Sequence, residues 1–380
     1  MTRVGIITDS RRTPLYQPGL VERLTQAFVR GGAQVQVLDM ASDEPAHGDF
    51  DVLYPMPVIS SSRLLYFLET LTTPHHAWLV NSPTVQLASL DKLRTFHLLR
   101  AANVPYPETI ETEQTEEVLA FVERHGCAIL KSPTQVAGLG HAVVEAEGGH
   151  LYSWVPNVAR HRQLAGTSSV LLGEAAWRLP VSLRGSHPGD HLDPPSGEHV
   201  RLTPTLHAPF FVQRFVGEET RGRRVRDRVY RVYWAGGRAL FGSARVMKPI
   251  SNGTLSYAIV NYAWGGKYEL FSIEQLPVEL VAIGCAAAEA LGLDAGAVDL
   301  IEDEEGRWLV LEGETDNFVY HLCRGYRNAE GEQDRFSFNE AVADFVLAKV
   351  GDRQPTVVPF DDIRAILDLL DGTYSPSINL

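Results

Sequence analysis

The chain has 380 residues, of which 44% are hydrophobic, so it is long enough for two or three domains that each bury a core. A charged fraction of 21%, with 32 glycines and 22 prolines, is ordinary for a globular protein and excludes disordered and fibrous classes. The formal net charge of -13 argues against a general nucleic-acid or anionic-membrane surface.

The N-terminal sequence MTRVGIITDS has an apolar stretch too short for a signal peptide, and no run approaches the ~18 apolar residues of a membrane span. We therefore expect a cytoplasmic protein with no membrane and no nucleic-acid partner. Cys127, Cys285 and Cys323 lie far apart and form no CxxC pair, so we interpret them as small buried hydrophobic residues.

Apolar strands and helices alternate over the first 84 residues, which predicts a parallel sheet covered by helices. The first strand spans 4–8, and a helix runs from Pro18 to the glycines at 31–32. The turn between them lacks the GxGxxG glycines of a dinucleotide site. Its Arg11 and Arg12 are interpreted either as a subsite for a substrate carboxylate or as exposed surface residues, and both interpretations stay open.

Further helices are predicted at 64–71 and 87–103, and another begins at a Thr115 cap and ends at Gly126. A buried strand follows at 128–131. Poor periodicity from 147 to 208 predicts an insertion, and the Pro-, Gly- and His-rich stretch 185–197 predicts that its tip is mobile. His187 and His191 have metal-ligand spacing, but the intervening Pro-Gly forbids a helix, so a solvated loop is favoured over a substrate lid.

From 209 onward the chain is rich in strands, with an antiparallel ribbon at 229–234 and 239–246. A helix is expected at 277–291, strands at 297–301 and 308–311, and helices at 339–349 and 361–370. These patterns predict an α/β protein, with α+β character in its C-terminal half. The predicted domains are 1–84, 85–208 with an insertion at about 147–208, 209–350, and a helical tail at 351–380.

Three carboxylates lie in the last two predicted strands. Alternation puts Glu312 and Glu314 on one face, and a short hairpin brings Asp299 opposite them. Such a cluster in an apolar sheet needs compensation, and hard oxygen ligands of this kind suit Mg²⁺ bound with substrate phosphates. The alternative is a solvated acidic hairpin. It suits residues 302–305 well, but it explains poorly a carboxylate directly after four apolar residues.

Two lysines are candidate partners for phosphate oxygens. Lys92 is placed near a helix N-terminus, and Lys131 ends a buried strand. Gly138 and Gly140 follow Lys131, and their backbone N–H groups are able to approach a phosphate closely. Neither a P-loop sequence nor a GxSxG nucleophile motif is present.

The order of these elements resembles the ATP-grasp superfamily, in the branch of glutathione synthetase and the ribosomal-protein glutamate ligases, from about Asn81 to Glu314. The segments that carry the resemblance are Asn81-Ser82-Pro83, Asp91-Lys92-Leu93, Ile129-Leu130-Lys131, Phe211-Val212-Gln213-Arg214-Phe215-Val216, and Asn261 with Gly265-Gly266. Arg231 and Arg245 have the family's spacing, and Asp299, Glu312 and Glu314 match its D…ExN pattern. The resemblance implies an N-terminal parallel-sheet domain and two α+β subdomains that clamp ATP.

The resemblance also implies site residues. The implied catalytic residues are Lys131, Arg245 and Asn261. The implied nucleotide-binding residues are Lys92, Lys131, Gly138, Gly140, Gln213, Arg214, Phe215, Val216, Glu218, Glu219 and Arg231. The Arg214 carbonyl and the Val216 N–H would read adenine, and Glu218 or Glu219 would face the ribose. The implied metal ligands are Asp299, Glu312 and Glu314, for Mg²⁺ or Mn²⁺.

The resemblance implies an activity, the ATP-dependent joining of a carboxylate to an amine through an acyl phosphate. The implied substrates are small molecules or peptides, and the homodimer that is common in the family is the implied oligomeric state. Phosphate transfer to a hydroxyl and a regulatory ATP-binding module are the alternatives. Three departures from the family pattern stand out. Glu314 replaces the usual Asn, Gln135-Val136-Ala137 alters the loop after Lys131, and Val229 replaces an Asp.

Overall fold

The structure is a computed structural model. It describes residues 1–10, 19–42, 49–56, 67, 77–82, 85, 88–89, 91–131, 141–156, 176–180, 182–184, 205–207, 209–216, 218–219, 224–225, 228–246, 267–315 and 338–350. Several predictions lie outside these residues. They concern Arg11 and Arg12, Gly138 and Gly140, His187 and His191, Asn261, most of the helix at 64–71, the helix at 361–370 and the tail at 351–380.

The first sheet has four parallel strands in the order β2-β1-β3-β4. Its strands are β1 (Arg3–Thr8), β2 (Gln34–Asp39), β3 (Val52–Pro55) and β4 (Trp78–Leu79). Helix α1 (Leu20–Arg30) buries Leu20, Leu24, Ala27 and Phe28 against this sheet, as its i, i+4, i+7 spacing predicts.

The central sheet has six antiparallel strands in the order β5-β12-β6-β7-β8-β9. They are β5 (Thr109–Thr112), β6 (Ala128–Lys131), β7 (His141–Glu147), β8 (His150–Pro156), β9 (Ala176–Pro180) and β12 (Phe210–Arg214). Helix α3 (Thr115–His125) packs Val118, Phe121 and Val122 onto it. Two short pairs accompany this sheet, β10 (Ser182–Arg184) with β11 (Thr205–His207) and β13 (Glu218–Glu219) with β14 (Arg224–Val225).

The third sheet is antiparallel in the order β17-β16-β15-β18-β19. Its strands are β15 (Arg228–Ala235), β16 (Arg238–Val246), β17 (Lys267–Ser272), β18 (Ala295–Glu302) and β19 (Trp308–Glu314). Helices α2 (Lys92–Ala101) and α4 (Val278–Leu291) share a core with it, and a 3-10 helix (Ile273–Gln275) precedes α4. Helix α5 (Phe338–Val350) packs on α1 and β15.

The first and third sheets are joined by a buried hydrogen-bond cluster around Asn81. The Asn81 side chain accepts from the backbone N–H groups of Asp294 (2.9 Å) and Ala295 (3.2 Å) and donates to the Ala295 carbonyl (2.6 Å). In return, Asp294 Oδ2 accepts from the Asn81 N–H at 3.0 Å and from Trp78 Nε1 at 3.3 Å. Asn81 adopts a positive φ of 62°, a conformation that Asn tolerates better than most residues.

The predicted α/β class, with its parallel first sheet and antiparallel later sheets, is confirmed. Two local predictions were wrong. Helix α2 begins only at Lys92, because the Asp91 carboxylate caps it. Thr115 lies inside helix α3, whose N-cap is Gln114. The insertion at about 147–208 stays a prediction; its described residues include the sheet strands β8 and β9, although the sequence there lacks clear periodicity.

Within the described residues, no helix is long and apolar enough to cross a membrane.

Candidate active site

A cleft lies where helix α2, strands β6 and β12, and strand β19 meet. Its polar lining consists of Ser89, Lys92, Thr95, Lys131, Gln213 and Glu312, and its apolar lining includes Phe96, Leu99, Tyr106, Phe211, Val310 and Leu311. The two lysines and Glu312 therefore share one cavity, although more than 200 residues separate Lys92 from Glu312. The cleft combines cations, a carboxylate and an aromatic wall.

Lys92 is the first residue of helix α2 and is half-buried. The Asp91 side chain fixes the start of the helix by accepting from the N–H groups of Leu93 (2.9 Å) and Arg94 (3.3 Å). Burial lowers the pKa of Lys92, although Glu312, Glu314 and Asp91 oppose this shift by favouring the ammonium. The lysine therefore faces the carboxylates of β19.

Lys131 is the last residue of β6 and is held by a chain of side-chain hydrogen bonds. Its Nζ donates to Gln213 Oε1 at 2.7 Å, and Gln213 Nε2 donates to Thr109 Oγ1 at 3.1 Å. The Thr109 hydroxyl in turn donates to the Pro107 carbonyl at 2.6 Å. Because each donor has one acceptor along this chain, the Gln213 amide is oriented with its oxygen toward Lys131.

The carboxylates of Asp299, Glu312 and Glu314 form a cluster whose nearest oxygens all lie within 4.8 Å of one another. We call these three residues the carboxylate cluster. A β-bulge brings Glu312 into it, because Leu300 pairs with Val310 whereas Asp299 pairs with Glu312. Leu311 is the extra residue of this bulge. Regular pairing would place Glu312 opposite Val298, on the core face of the sheet, whereas the bulge places it opposite Asp299, on the other face.

Arg231 on β15 lies next to Asp299 in the sheet register and is 1% exposed. Its Nε and Nη2 contact the two Asp299 oxygens at 2.5 and 2.8 Å, and Nη2 also forms an ion pair with Glu314 at 2.7 Å. Burial alone would lower the pKa of Arg231, but the adjacent Asp299 and Glu314 carboxylates raise it well above its ordinary value. Arg231 is therefore a permanent cation within the cluster.

The donor set suits a hard divalent cation. Carboxylate oxygens are the ligands that Mg²⁺ and Mn²⁺ prefer, and a site with one or two protein carboxylates leaves positions for phosphate oxygens. Asp299 and Glu312 face each other across the hairpin, and Glu312 also lines the cleft that contains the lysines. The residues present therefore fit a metal-bound polyphosphate.

The remaining residues assigned from the resemblance do not line the cleft, or their side chains are not described. Arg214, Phe215 and Val216 follow Gln213 and are not among the described residues that line the cleft. Arg214 instead directs its guanidinium to Asp303 and Glu304, at 3.4 and 3.0 Å. For Arg245, Glu218 and Glu219 the structure gives strand positions only, with Arg245 opposite Val229.

Sequence reasoning missed the aromatic wall and Thr109. Phe96 lies one helical turn after Lys92, and its ring contacts Tyr106 and Phe211 at centroid distances of 4.9 and 5.8 Å. The i, i+4 spacing from Lys92 is the signal that identifies Phe96. Thr109 has no comparable signal, because its contact with Gln213 depends on strand pairing between β5 and β12.

No protein-family model matches the chain, and no curated protein sequence matches it. Solved structures do match. D-cycloserine synthetase DcsG is 15% identical, with a TM-score of 0.54, over 92% of this chain and all of its own. A Chryseobacterium gregarium RiPP-associated ATP-grasp ligase, solved with ADP and a leader and core peptide, is 13% identical, with a TM-score of 0.52, over 94% of this chain and all of its own.

The ATP-grasp ligase PsnB, solved with a minimal precursor, is 16% identical with a TM-score of 0.51, over 92% of this chain and 99% of its own. At these identities the similarity is one of fold, and it extends over nearly the whole of both chains. The resemblance inferred from the sequence is thus confirmed at the level of architecture: the chain has the ATP-grasp fold.

Proposed function

We propose that this protein is an ATP-dependent ligase that joins a carboxylate to an amine and releases ADP and phosphate. The observation that carries the proposal is the cleft itself, in which Lys92 and Lys131 lie across from Glu312 of the carboxylate cluster. A metal-bound nucleoside triphosphate needs cations for its phosphates and carboxylates for its metal ion. The cleft offers both, beside an aromatic wall.

In the proposed reaction a substrate carboxylate oxygen attacks the γ-phosphorus, and the bond to the β–γ bridging oxygen breaks as ADP leaves. The amine then attacks the acyl carbon, phosphate departs, and the amine loses a proton. Lys92 and Lys131 hold the phosphates as point charges, so the chain contributes positioning and electrostatics and needs no covalent nucleophile. A Mg²⁺ ion held by the carboxylate cluster would neutralise phosphate charge.

The proposal includes the remaining assignments made from the resemblance. Arg245 and Asn261 would act on the transferred phosphoryl group, and the loop with Gly138 and Gly140 would cover the phosphates. Adenine and ribose would contact the segment from Gln213 to Glu219, and Arg231 would support this site. The proposal also includes domain boundaries after residues 84, 208 and 350. It includes a cytoplasmic location and a homodimer.

The substrates are proposed to be small molecules or peptides. Two of the similar structures are described with a leader and core peptide or with a minimal precursor, and a third is a D-cycloserine synthetase. These proteins share the fold at low identity, so they support a substrate range and do not select one substrate.

The test is a screen of the purified protein with ATP, Mg²⁺ and pooled amino acids and peptides, with and without hydroxylamine. We expect ADP release that depends on the acid, an amide product, and a hydroxamate detected by mass spectrometry when hydroxylamine replaces the amine. A phosphorylated hydroxyl without hydroxamate would indicate a phosphotransferase. Tight ATP binding with no ADP from any pool would indicate a regulatory module.

A further inference from the structure

The carboxylate cluster contains one residue whose position suggests a different task from that of its neighbours. We propose that Glu314 is a positioning residue that pairs with Arg231 and thereby orients Asp299, while Asp299 and Glu312 bind the metal ion. This inference rests on the proposed function, since it concerns the same site. It gives a physical reason for the glutamate that stands where the resembled family has an asparagine.

The contacts of Arg231 separate Glu314 from Glu312. Arg231 uses Nε and Nη2 on Asp299 and the same Nη2 on Glu314, at 2.5, 2.8 and 2.7 Å. Among the described ion pairs of Arg231, Glu312 is absent, and Glu312 lines the cleft instead. One glutamate of β19 therefore faces the buried guanidinium, and the other faces the cavity.

The backbone holds Glu314 firmly at this place. Ala297 of β18 pairs with Glu314, and Gly296 packs so closely that a Cβ there would collide with the Glu314 carbonyl oxygen. The glycine allows the two strands to approach at the residue whose side chain reaches Arg231. The main-chain position of Glu314 is thus set by packing within the sheet.

Charge balance explains why position 314 carries a carboxylate. A guanidinium that is 1% exposed is costly unless carboxylates surround it, and a second carboxylate reduces that cost. Asp299 accepts from Arg231 with both oxygens, yet each carboxylate oxygen has a second lone pair with which it can bind a cation. Asp299 can therefore bind Arg231 and a metal at once, whereas Glu314 pairs with Arg231 and also favours the charged form of Lys92.

The first test measures Mn²⁺ affinity in the presence of ADP by electron paramagnetic resonance. Glu314→Gln leaves Asp299 as the described carboxylate that pairs with Arg231, so the guanidinium competes more strongly with the metal for Asp299 and we expect about tenfold weaker binding. In the Arg231→Gln background this competition is absent, so Glu314→Gln should weaken binding by less than about threefold further. Glu312→Gln removes a ligand and should weaken binding by at least about tenfold in either background.

Equal further losses from Glu314→Gln and Glu312→Gln in the Arg231→Gln background would reflect charge alone and would overturn the assignment. A Glu314→Gln loss that Arg231→Gln does not relieve would mean that Glu314 binds the metal, and this too would overturn it. If wild type binds neither Mn²⁺ nor ADP, the proposed function fails.

Thermal unfolding in EDTA tests the same pair without metal or nucleotide. We expect Glu314→Gln to lower Tm by several degrees, because Arg231 stays buried while its second carboxylate is lost. Glu312→Gln should leave Tm nearly unchanged in EDTA, since its side chain faces the cleft. Equal shifts for the two variants would contradict the separation of roles, even if the protein binds no nucleotide.

Discussion

The two ends of the hairpin formed by β18 and β19 are both acidic, yet they are built in opposite ways. At the turn, the Asp303 side chain is fully buried and accepts from Arg307 Nε (2.8 Å) and Nη2 (2.6 Å), and from the N–H groups of Glu305 (3.0 Å) and Arg307 (2.9 Å). Arg214 adds a contact at 3.4 Å. At the other end, three carboxylates form a cluster in which Arg231 pairs with two, Asp299 and Glu314, and Lys92 lies near Glu312 and Glu314.

The difference teaches how to separate structural acids from ligand-binding acids. Hydrogen bonds from backbone N–H groups and arginine side chains occupy both oxygens of Asp303, so its negative charge is compensated within the protein without a metal ion. The carboxylate cluster has more negative charge than its buried partner Arg231 supplies, so it gains from an added cation. The number of hydrogen-bond donors around a carboxylate therefore separates a structural role from cation binding better than the number of neighbouring carboxylates does.

The largest effect should come from Glu312→Gln, which removes a charge from the under-compensated end. We expect ADP release to fall by at least about 100-fold, because electrostatic stabilisation of the transferred phosphoryl group is lost. The assay is ADP production with an accepted acid and amine. Glu302→Gln, an exposed change on β18, serves as the control and should retain wild-type turnover. Normal turnover in Glu312→Gln would refute the metal-site assignment.

The next effect concerns the matched end and is one of stability. Asp303→Asn should lower the free energy of unfolding by about 1–3 kcal/mol at pH 7, because hydrogen bonds from a charged partner are weakened in a buried site. Urea unfolding, followed by circular dichroism, measures the change. A value close to zero would mean that the donors around Asp303 add nothing to stability.

The Asp303 contribution should also depend on pH. Burial would raise the pKa of Asp303, but hydrogen bonds from Arg307 and the backbone N–H groups of Arg307 and Glu305 lower it below its ordinary value. The unfolded state therefore takes up protons first. The stabilisation is fully present above the unfolded pKa of about 3.9 and is lost as the pH falls through the lower folded pKa. The difference between wild type and Asp303→Asn should shrink on acidification below that value.

A smaller effect is expected from the hydrogen-bond chain behind Lys131. Gln213→Leu leaves the buried Lys131 ammonium without its 2.7 Å acceptor and should lower the free energy of unfolding of the ligand-free protein by about 1–2 kcal/mol. Thr109→Val removes the 3.1 Å bond from Gln213 and the 2.6 Å bond to the Pro107 carbonyl. Both bonds join uncharged, partly buried groups, so this substitution should cost less than the loss of an acceptor for an ammonium. Urea unfolding ranks the two variants, and a larger loss for Thr109→Val would contradict the proposed order.

The smallest effect is expected at Glu305, which forms an exposed ion pair with Arg307 at the turn. The two side chains are 62% and 61% exposed. Glu305→Gln should change the free energy of unfolding by less than about 1 kcal/mol, since solvent screens such pairs. Comparison with Asp303→Asn in the same assay tests whether burial separates the two acids. If Glu305→Gln lowered the free energy of unfolding as much as Asp303→Asn does, burial would not explain the difference between the two acids.

Much of this site is visible in the sequence. The apolar run before Glu312 predicts a buried strand, and Lys131 follows another such run, so strand periodicity locates both side chains. The sequence does not reveal the bulge at Leu311, because register depends on packing against helix α4 and β18. Nor does it reveal the hydrogen bond between Lys131 and Gln213, two residues 82 positions apart that come together because β6 pairs with β12.

The errors have the same origin. Asp91 and Thr115 are both good capping residues, and only the local backbone decides that Asp91 caps its helix while Thr115 lies inside the next one. The strands β8 and β9 lack clear periodicity for a related reason. They extend the edge of the central sheet, where hydrogen bonds to a neighbouring strand, more than sequence periodicity, determine that the chain is extended.

The hydrogen-bond cluster around Asn81 has a mechanical consequence. It attaches the parallel sheet to Asp294, directly before the strand that carries Asp299. A shear between the parallel sheet and that strand would break these buried hydrogen bonds, so the energetic cost of such a displacement is concentrated at one asparagine.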